Sequence, residues 1–236
     1  MSLPSFTRRL ALRLGLAGAL AGLAGAAPAQ VAPSAAEAAA YTGLHAAAWR
    51  GDAAQIRRLA AQGAALDARD GNGRTPLHVA TFARQPGAIA ALARAGAQLD
   101  LLDADRYDGV TIAAVADDES SLRMLLSLGA SARQVTSRYD GTALIAAAHL
   151  GHDGVVRQLI AAGAPLDHVN NLHWTATIEA IVLGDGGPRH QATLRALVDA
   201  GANLQLADRH GQTPLTLAGQ RGYGAMAAML RAAGAR

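Results

Sequence analysis

The sequence lacks cysteine and lysine and is poor in aromatic residues. All 21 basic residues are arginine, and aromatic residues make up 3% of the 236-residue chain. Without cysteine the chain has no disulfide framework, no cysteine-ligated zinc or iron–sulfur cluster, and no thiol nucleophile. Apolar residues account for 51% and charged residues for 17%, which is not the composition of a disordered chain. Because much of the apolar fraction is alanine, the composition favours helices that pack closely.

The first 29 residues have the pattern of an export signal. Three arginines, the last of them Arg13, precede an uncharged run that ends in Ala27-Pro28-Ala29, a small-x-small cleavage pattern. The run is too short and too rich in glycine for a good membrane-spanning helix. We therefore predict a signal peptide over residues 1–29 and a periplasmic protein. The pair Arg8-Arg9 also resembles a twin-arginine motif, so the route stays open between Sec and twin-arginine export.

The net charge of +3 lies in this predicted signal. It contains three of the 21 arginines and none of the 18 acidic residues, so residues 30–236 are neutral overall. We therefore expect no nucleic-acid partner and, after cleavage, no membrane association. Residues 30–41 form an alanine-rich lead-in segment. Its capping-box pattern, Ser34 to Glu37, favours a short helix, and a partly ordered linker is the alternative.

An internal repeat is the strongest signal in the chain. After the predicted signal, six Gly-Ala pairs each have a leucine four residues before the glycine, and their glycines are 33, 33, 34, 38 and 33 residues apart. A glycine after a helical stretch is typical of a left-handed helix end, and the leucine one turn earlier belongs to the buried face. The glycines are at positions 63, 96, 129, 163, 201 and 234.

A second motif precedes each Gly-Ala pair. Thr75-Pro76-Leu77-His78-Val79-Ala80 and Thr213–Ala218 are its fullest copies, and we assign the motif threonine of the other units to Thr42, Thr111, Thr142 and Thr175. Threonine before proline suits a helix start, since the hydroxyl caps the helix and proline fits its first position. The chain thus resembles the ankyrin-repeat family. This resemblance implies an all-α solenoid of about six helix-turn-helix units joined by β-hairpin loops. The predicted units are 42–73, 74–107, 108–139, 140–173, 174–210 and 211–236.

More narrowly, the chain resembles the exported ankyrin-repeat proteins of bacteria, on stretches such as Ser137–Leu144 and Gly184–His190. The resemblance implies a monomeric, non-catalytic module of the periplasm that binds another protein, whose identity the sequence does not give. Two alternatives stay open: a cytoplasmic or membrane-anchored ankyrin regulator, and a metal-dependent enzyme.

The resemblance also places candidate partner-binding residues on a concave face and on the hairpin tips. Positions seven and eight after each motif threonine are predicted to face the concavity, and they include an aromatic pair, an acidic centre and a histidine: Trp49, Arg50, Phe82, Asp118, Glu119 and His149. Trp49 and Phe82 either contact a partner or cover the edge of the core. The predicted hairpin tips carry cationic and aromatic groups, among them Arg74 and the partner-binding candidates Arg106, Tyr107, Arg138, Tyr139, Trp174 and Arg209. These either form a contact strip or pair between neighbouring hairpins.

The sequence offers little for metal or catalytic chemistry. His149 and His152 are three residues apart without a third ligand at a fixed offset, and no nucleophile-elbow, phosphate-loop or nucleotide-binding motif is present. We expect no metal site, no cofactor and no catalytic residues. The five extra residues of the fifth unit predict a loop over Gly184–His190.

Overall fold

The computed structural model describes residues 30–236, so the predicted signal peptide lies outside the described residues. After a short helix α1 (Ala35–Ala40), the chain forms six pairs of helices. The first helices of the pairs are α2 (Gly43–Arg50), α4 (Pro76–Phe82), α6 (Gly109–Val115), α8 (Ala143–Leu150), α10 (Ala176–Val182) and α12 (Pro214–Gln220). The second helices are α3 (Ala53–Ala61), α5 (Pro86–Ala95), α7 (Glu119–Ser127), α9 (Asp153–Ala161), α11 (Pro188–Asp199) and α13 (Gly224–Ala232).

The pairs stack into two layers. Each first helix contacts the first helices of its neighbours, and each second helix contacts the neighbouring second helices. The connecting hairpins hydrogen-bond to one another, as where the amide of Ala104 donates to the carbonyl of Asn72. One hairpin also forms a two-residue antiparallel ladder between β1 (Val135–Thr136) and β2 (Gly141–Thr142). The predicted solenoid of helix pairs joined by hairpins is confirmed.

Each second helix ends in the same way. The glycine of each of the six repeated Gly-Ala pairs has a positive φ, between 78° and 105°, and the following alanine amide donates to the carbonyl of the leucine five residues earlier. These bonds satisfy carbonyls that the helix leaves unpaired. Five of the six leucines are fully buried, and Leu59 of the first pair is half-buried. The repeat in the sequence is therefore a repeat of helix ends and of the core.

Five of the six first helices begin at a residue whose side chain caps them, Thr42 of α2 being the exception, and one of the five caps differs from the prediction. The hydroxyls of Thr75, Thr142, Thr175 and Thr213 accept the amide three residues on, but in the third unit Asp108 caps α6 and accepts the amide of Thr111 at 2.7 Å. The assignment of Thr111 as the motif threonine is therefore wrong by three residues. The fifth residue after each corrected cap is a fully buried alanine in all six units: Ala47, Ala80, Ala113, Ala147, Ala180 and Ala218.

The lead-in segment packs onto the stack through Arg74. The capping box of α1 is formed, and Glu37 also bonds the Arg74 guanidinium at 2.5 Å. That guanidinium donates to Asp70 at 2.7 Å, and Asp70 accepts the Tyr41 hydroxyl at 2.7 Å. Arg74 is 1% exposed. Its predicted place among the exposed cations of the hairpin tips is wrong, because α1 covers it.

Candidate partner-binding surface

The ends of the first helices form a continuous surface row across the six units. We call it the helix-end row; it comprises the residues seven and eight positions after each cap. The seventh positions are Trp49, Phe82, Val115, His149, Val182 and Gln220, and the eighth are Arg50, Ala83, Ala116, Leu150, Leu183 and Arg221. None of these side chains is fully buried. Leu150 and Leu183, at equivalent positions of adjacent units, are 38% and 43% exposed.

Two candidate residues do not belong to this row. With Asp108 as the cap, the third unit contributes Val115 and Ala116, whereas Asp118 and Glu119 lie at the start of the second helix α7. Asp118 is 7% exposed and caps α7 by accepting the amide of Ser121 at 3.1 Å. Glu119 accepts the amide group of Gln158 on the next second helix at 2.9 Å. Their predicted placement on the first-helix face is wrong, because it rested on the incorrect motif threonine.

The other first-helix candidates stay in the row. Trp49 is half-buried and packs against the core, with the exposed Arg50 beside it. Phe82 is half-buried in the next unit. His149 is exposed on α8, three units from Trp49. The row is thus apolar over most of its length, with arginines at its two ends.

The hairpin candidates fall into two groups. Arg106 forms an ion pair with Asp140 of the next hairpin at 3.0 Å, both groups being about half exposed, so this pair links successive units. Tyr107 is half-buried, and burial raises the pKa of its hydroxyl, whereas Arg138 and Tyr139 are exposed. Farther along, Trp174 packs against the core of the last two units, and Arg209 is exposed and donates to the carbonyl of Asn171 at 3.2 Å.

A polar cluster interrupts the row between the fourth and fifth units. Glu179 on α10 is 5% exposed, and one of its oxygens accepts the side-chain amide of the buried Asn170 at 2.8 Å. The other oxygen lies 3.4 Å from Nδ1 of His149. Asn170 also holds its own hairpin, since its side-chain oxygen Oδ1 accepts the backbone amides of Leu172 and Trp174.

The extra residues of the fifth unit fold back against the third and fourth units. Only residues 183–187 connect the helices, because Pro188, Arg189 and His190 belong to α11, so the predicted loop over Gly184–His190 is partly wrong. Proline fits the first position of a helix, which explains this early start. Arg189 bonds Asp117 of the third unit at 2.8 Å and lies 3.6 Å from Asp153 of the fourth.

His190 anchors the same segment. Its Nδ1 lies 2.8 Å from the carboxylate of Asp185, and its Nε2 lies 2.9 Å from the carbonyl oxygen of His149. The pKa of Asp185 is lowered by the amide of Gly187 and then by the His190 ring. The Tyr223 hydroxyl of the sixth unit donates to the carbonyl of Gly184 at 2.8 Å. The segment therefore contacts the third, fourth and sixth units.

The motif histidines hold neighbouring units together. Nε2 of His45 lies 3.0 Å from the carbonyl oxygen of Arg74, and Nε2 of His78 lies 3.0 Å from that of Tyr107. Burial lowers the pKa of His78. Nδ1 of His152 lies 2.9 Å from the carbonyl oxygen of Ala114. Over residues 30–236 no three His, Asp or Glu side chains are placed to hold a metal ion.

Comparisons with known proteins agree with this architecture. The family described as ankyrin repeats (3 copies) matches residues 110–208. An ankyrin repeat domain of known structure from Acinetobacter baumannii AYE is 44% identical, with a TM-score of 0.77, over 82% of this chain and 98% of that one. This chain belongs to the ankyrin-repeat family. Ankyrin repeats form a protein–protein interaction module, and the fold is generally a non-catalytic scaffold.

Two further similarities concern bacterial ankyrin proteins and the fold. The ankyrin repeat protein YahD of Escherichia coli K12 is 40% identical over 120 residues, which cover 50% of this chain and 59% of YahD. A chain in the complex of the Bdellovibrio bacteriovorus predatory endopeptidase Bd0816 with the immunity protein Bd3460 is 23% identical, with a TM-score of 0.67. That comparison covers 81% of this chain and 98% of the other, and it shows the ankyrin fold alone. Among residues 30–236 no helix has the length and apolar content to cross a membrane.

Proposed function

We propose that this ankyrin protein is a non-catalytic binding module of the periplasm, which holds one partner protein on its helix-end row and hairpin tips. The proposal takes the chain to act as a monomer without a cofactor. It also rests on the export pattern of residues 1–29, and the neutral charge of residues 30–236 favours a protein over a nucleic acid as partner.

The observation that carries the proposal is the exposure of the helix-end row. Apolar side chains stand at the same position in successive units, yet Leu150 and Leu183 are more than a third exposed. A stack that needed these positions for its own core would bury them, as it does with the apolar residues two and three positions earlier, Ala148 and Ala147 before Leu150 and Ile181 and Ala180 before Leu183. Contiguous exposed apolar surface marks interaction sites.

Substitution of apolar residues in the helix-end row tests this proposal. The triple variant Phe82→Ala, Leu150→Ser, Leu183→Ser is expected to lose the partner that the wild-type protein retains after crosslinking in intact cells. The matched control replaces Arg57, Arg94 and Arg231 on the second helices by Ala and is expected to keep that partner. Both variants are first checked for an unchanged thermal unfolding midpoint. Equal retention of the partner by both variants would contradict the proposed surface.

The export part of the proposal has its own test. The mass of the native protein isolated from cells is expected to correspond to a chain that begins at Gln30. A mass that includes residues 1–29 would favour the cytoplasmic or membrane-anchored alternative.

A further inference from the structure

Glu179 is an unusual residue for its position in the repeat. The fourth residue after the cap is apolar in five units, namely Ala46, Val79, Ile112, Ala146 and Leu217, and only the fifth unit has a carboxylate there. Burial of a carboxylate carries a desolvation penalty unless polar partners compensate it. Glu179 is 5% exposed, so its partners have to explain why it is tolerated.

A second substitution accompanies Glu179. The hairpin position that Asn170 occupies holds Asp70, Asp103 or Asp208 in other units, where the carboxylate accepts two backbone amides. Asn170 keeps both of these bonds through its side-chain oxygen Oδ1 and adds its side-chain NH₂ group as a donor for Glu179. An aspartate there would face Glu179 with a second negative charge. Asn170 thus fixes one carboxylate oxygen of the buried Glu179 by a hydrogen bond that an aspartate at its position could not donate.

The other oxygen of Glu179 has a weaker partner. Nδ1 of His149 lies 3.4 Å away, beyond the usual range of about 2.7–3.2 Å for such bonds. The His149 side chain is 45% exposed, and exposed side chains change rotamer within nanoseconds. This oxygen is therefore closed off from solvent by a side chain that can turn away.

The surroundings of Glu179 are apolar at close range and acidic farther out. Val182 and Leu183 share its helix face by spacing, and Leu150 follows His149 on the neighbouring helix. The adjoining helices and loops contribute the carboxylates Asp117, Asp153 and Asp185 against two arginines, Arg189 and Arg157, with histidines His149, His152 and His190 between them. Together with Glu179 the region holds four carboxylates and two arginines, so it has an excess of negative charge.

We propose that Glu179 binds a cationic side chain, arginine or lysine, in a partner segment whose flanking apolar residues lie on Leu150 and Leu183. Without a partner, the His149 side chain lies against the free oxygen of Glu179, and it changes rotamer when the partner's cation binds there. The inference rests on the proposed function, since it names the chemistry of the segment that the helix-end row receives.

The absence of cysteine allows a direct test of cation binding. In the full chain carrying Leu183→Cys, the single thiol is offered equal amounts of bis(2-aminoethyl) disulfide and bis(2-hydroxyethyl) disulfide. The protein thiolate attacks a probe sulfur, a mixed disulfide forms, and the other half of the probe leaves as a thiolate that takes up a proton. The aminoethyl thiolate is the better leaving group at any thiol, so the preference is defined as the product ratio at position 183 divided by that of Ala83→Cys, the equivalent position of the second unit. We expect this preference for the cationic probe to be about fivefold, the effect of one ion pair near a surface.

Two further variants separate this site from a purely internal pair. Glu179→Gln, which keeps an acceptor for Asn170, is expected to abolish the preference, whereas His149→Ala is expected to increase it. A preference that survives Glu179→Gln, or that His149→Ala leaves unchanged, would overturn the proposed cation site.

Selection from random seven-residue peptides on phage then tests the partner chemistry, with wild-type and Glu179→Gln proteins as targets. Enrichment of arginine or lysine between apolar residues on the wild type alone supports the inference. Enrichment of the same peptides on both targets, without a basic preference, overturns it and leaves the proposed function standing. If neither target enriches any peptide above the Phe82→Ala, Leu150→Ser, Leu183→Ser variant, both proposals are contradicted.

Discussion

Replacement of Arg74 by methionine is expected to release the lead-in segment from the repeat stack. Methionine retains most of the apolar volume but removes the charge that joins Glu37 to Asp70. The segment would then be held by the stacking of Tyr41 on His45, with ring centroids 5.4 Å apart, and by two hydrogen bonds, from the Tyr41 hydroxyl to Asp70 and from the Asn72 side chain to Glu37.

The structure limits the size of this effect. Breaking a buried ion pair costs about 3–5 kcal/mol when the remaining charge is left without a partner. Here Asp70 keeps the Tyr41 hydroxyl and two backbone amides, and the Glu37 side chain is 37% exposed and returns to water. We therefore expect a loss of about 2 kcal/mol, within the range for charged hydrogen bonds, so α1 would open about 30 times more often.

Hydrogen exchange measured by mass spectrometry over residues 30–41 provides the assay. Amide protection there should fall in Arg74→Met and stay unchanged in Arg57→Met, which removes an exposed arginine of α3. The same measurement at low pH provides a second test. Burial opposes ionisation of Asp70, but bonds from Tyr41 and Arg74 outweigh it and hold its pKa at about 2. Because this pKa lies below the unfolded value of about 3.9, the stabilisation is complete above about pH 4 and is lost toward pH 2.

The expected signature in Arg74→Met is therefore both lower protection at neutral pH and a smaller further loss between pH 4 and pH 2. Unchanged protection of residues 30–41 in this variant would refute the assignment of Arg74 as the residue that holds the lead-in.

Three further changes have defined outcomes. Burial raises the pKa of Asp108 to about 6, so ionisation of this carboxyl group reduces the stability of the fold progressively as the pH rises from about 4 to 6. Asp108→Asn should therefore raise the free energy of unfolding, measured in urea at pH 7, by about 1–2 kcal/mol. A lower free energy of unfolding in the variant would contradict the raised pKa. Leu125→Ala, at a fully buried position, should reduce that free energy by about 2–5 kcal/mol, and a loss below about 1 kcal/mol would mean that the site collapses without a cavity. Gly184→Ala would place a methyl group against the carbonyl of Ala180 and should lower the melting temperature. In the control Gly219→Ala, on α12, the added methyl group meets no neighbouring atom, so the melting temperature should not fall. Equal melting temperatures of the two variants would show that the backbone of the fifth-unit segment shifts to accommodate the methyl group.

Much of the fold could be predicted from the sequence, because helix ends and caps are local features. The glycine φ values and the threonine caps agree with the spacing of Gly-Ala and Thr-Pro. The third unit misled the prediction because aspartate and threonine both cap helices, and Thr111 was the nearer match to the motif. The buried alanine, Ala113, five residues after Asp108, was the signal that would have corrected the register.

The site was harder to predict, because it depends on contacts between units. Arg74 is the same residue type as the exposed arginines of the other hairpin tips, and only the packing of α1 against it makes it buried. Glu179 and Asn170 lie nine residues apart, and their bond cannot be inferred from either residue alone. A comparison of equivalent positions across the units would have singled out both, since Glu179 replaces an apolar residue of the five other units and Asn170 replaces the aspartate of three of them.

Photocrosslinking in intact cells tests the central claim, partner binding on the helix-end row, most directly. A photoreactive amino acid replaces Leu183 in the row or, in a separate variant, Arg94 on the second-helix layer. We predict one crosslinked species of higher mass from position 183, absent from position 94 and lost when Phe82→Ala and Leu150→Ser are added. Crosslinks of equal yield from both positions, or none from position 183, would contradict the account.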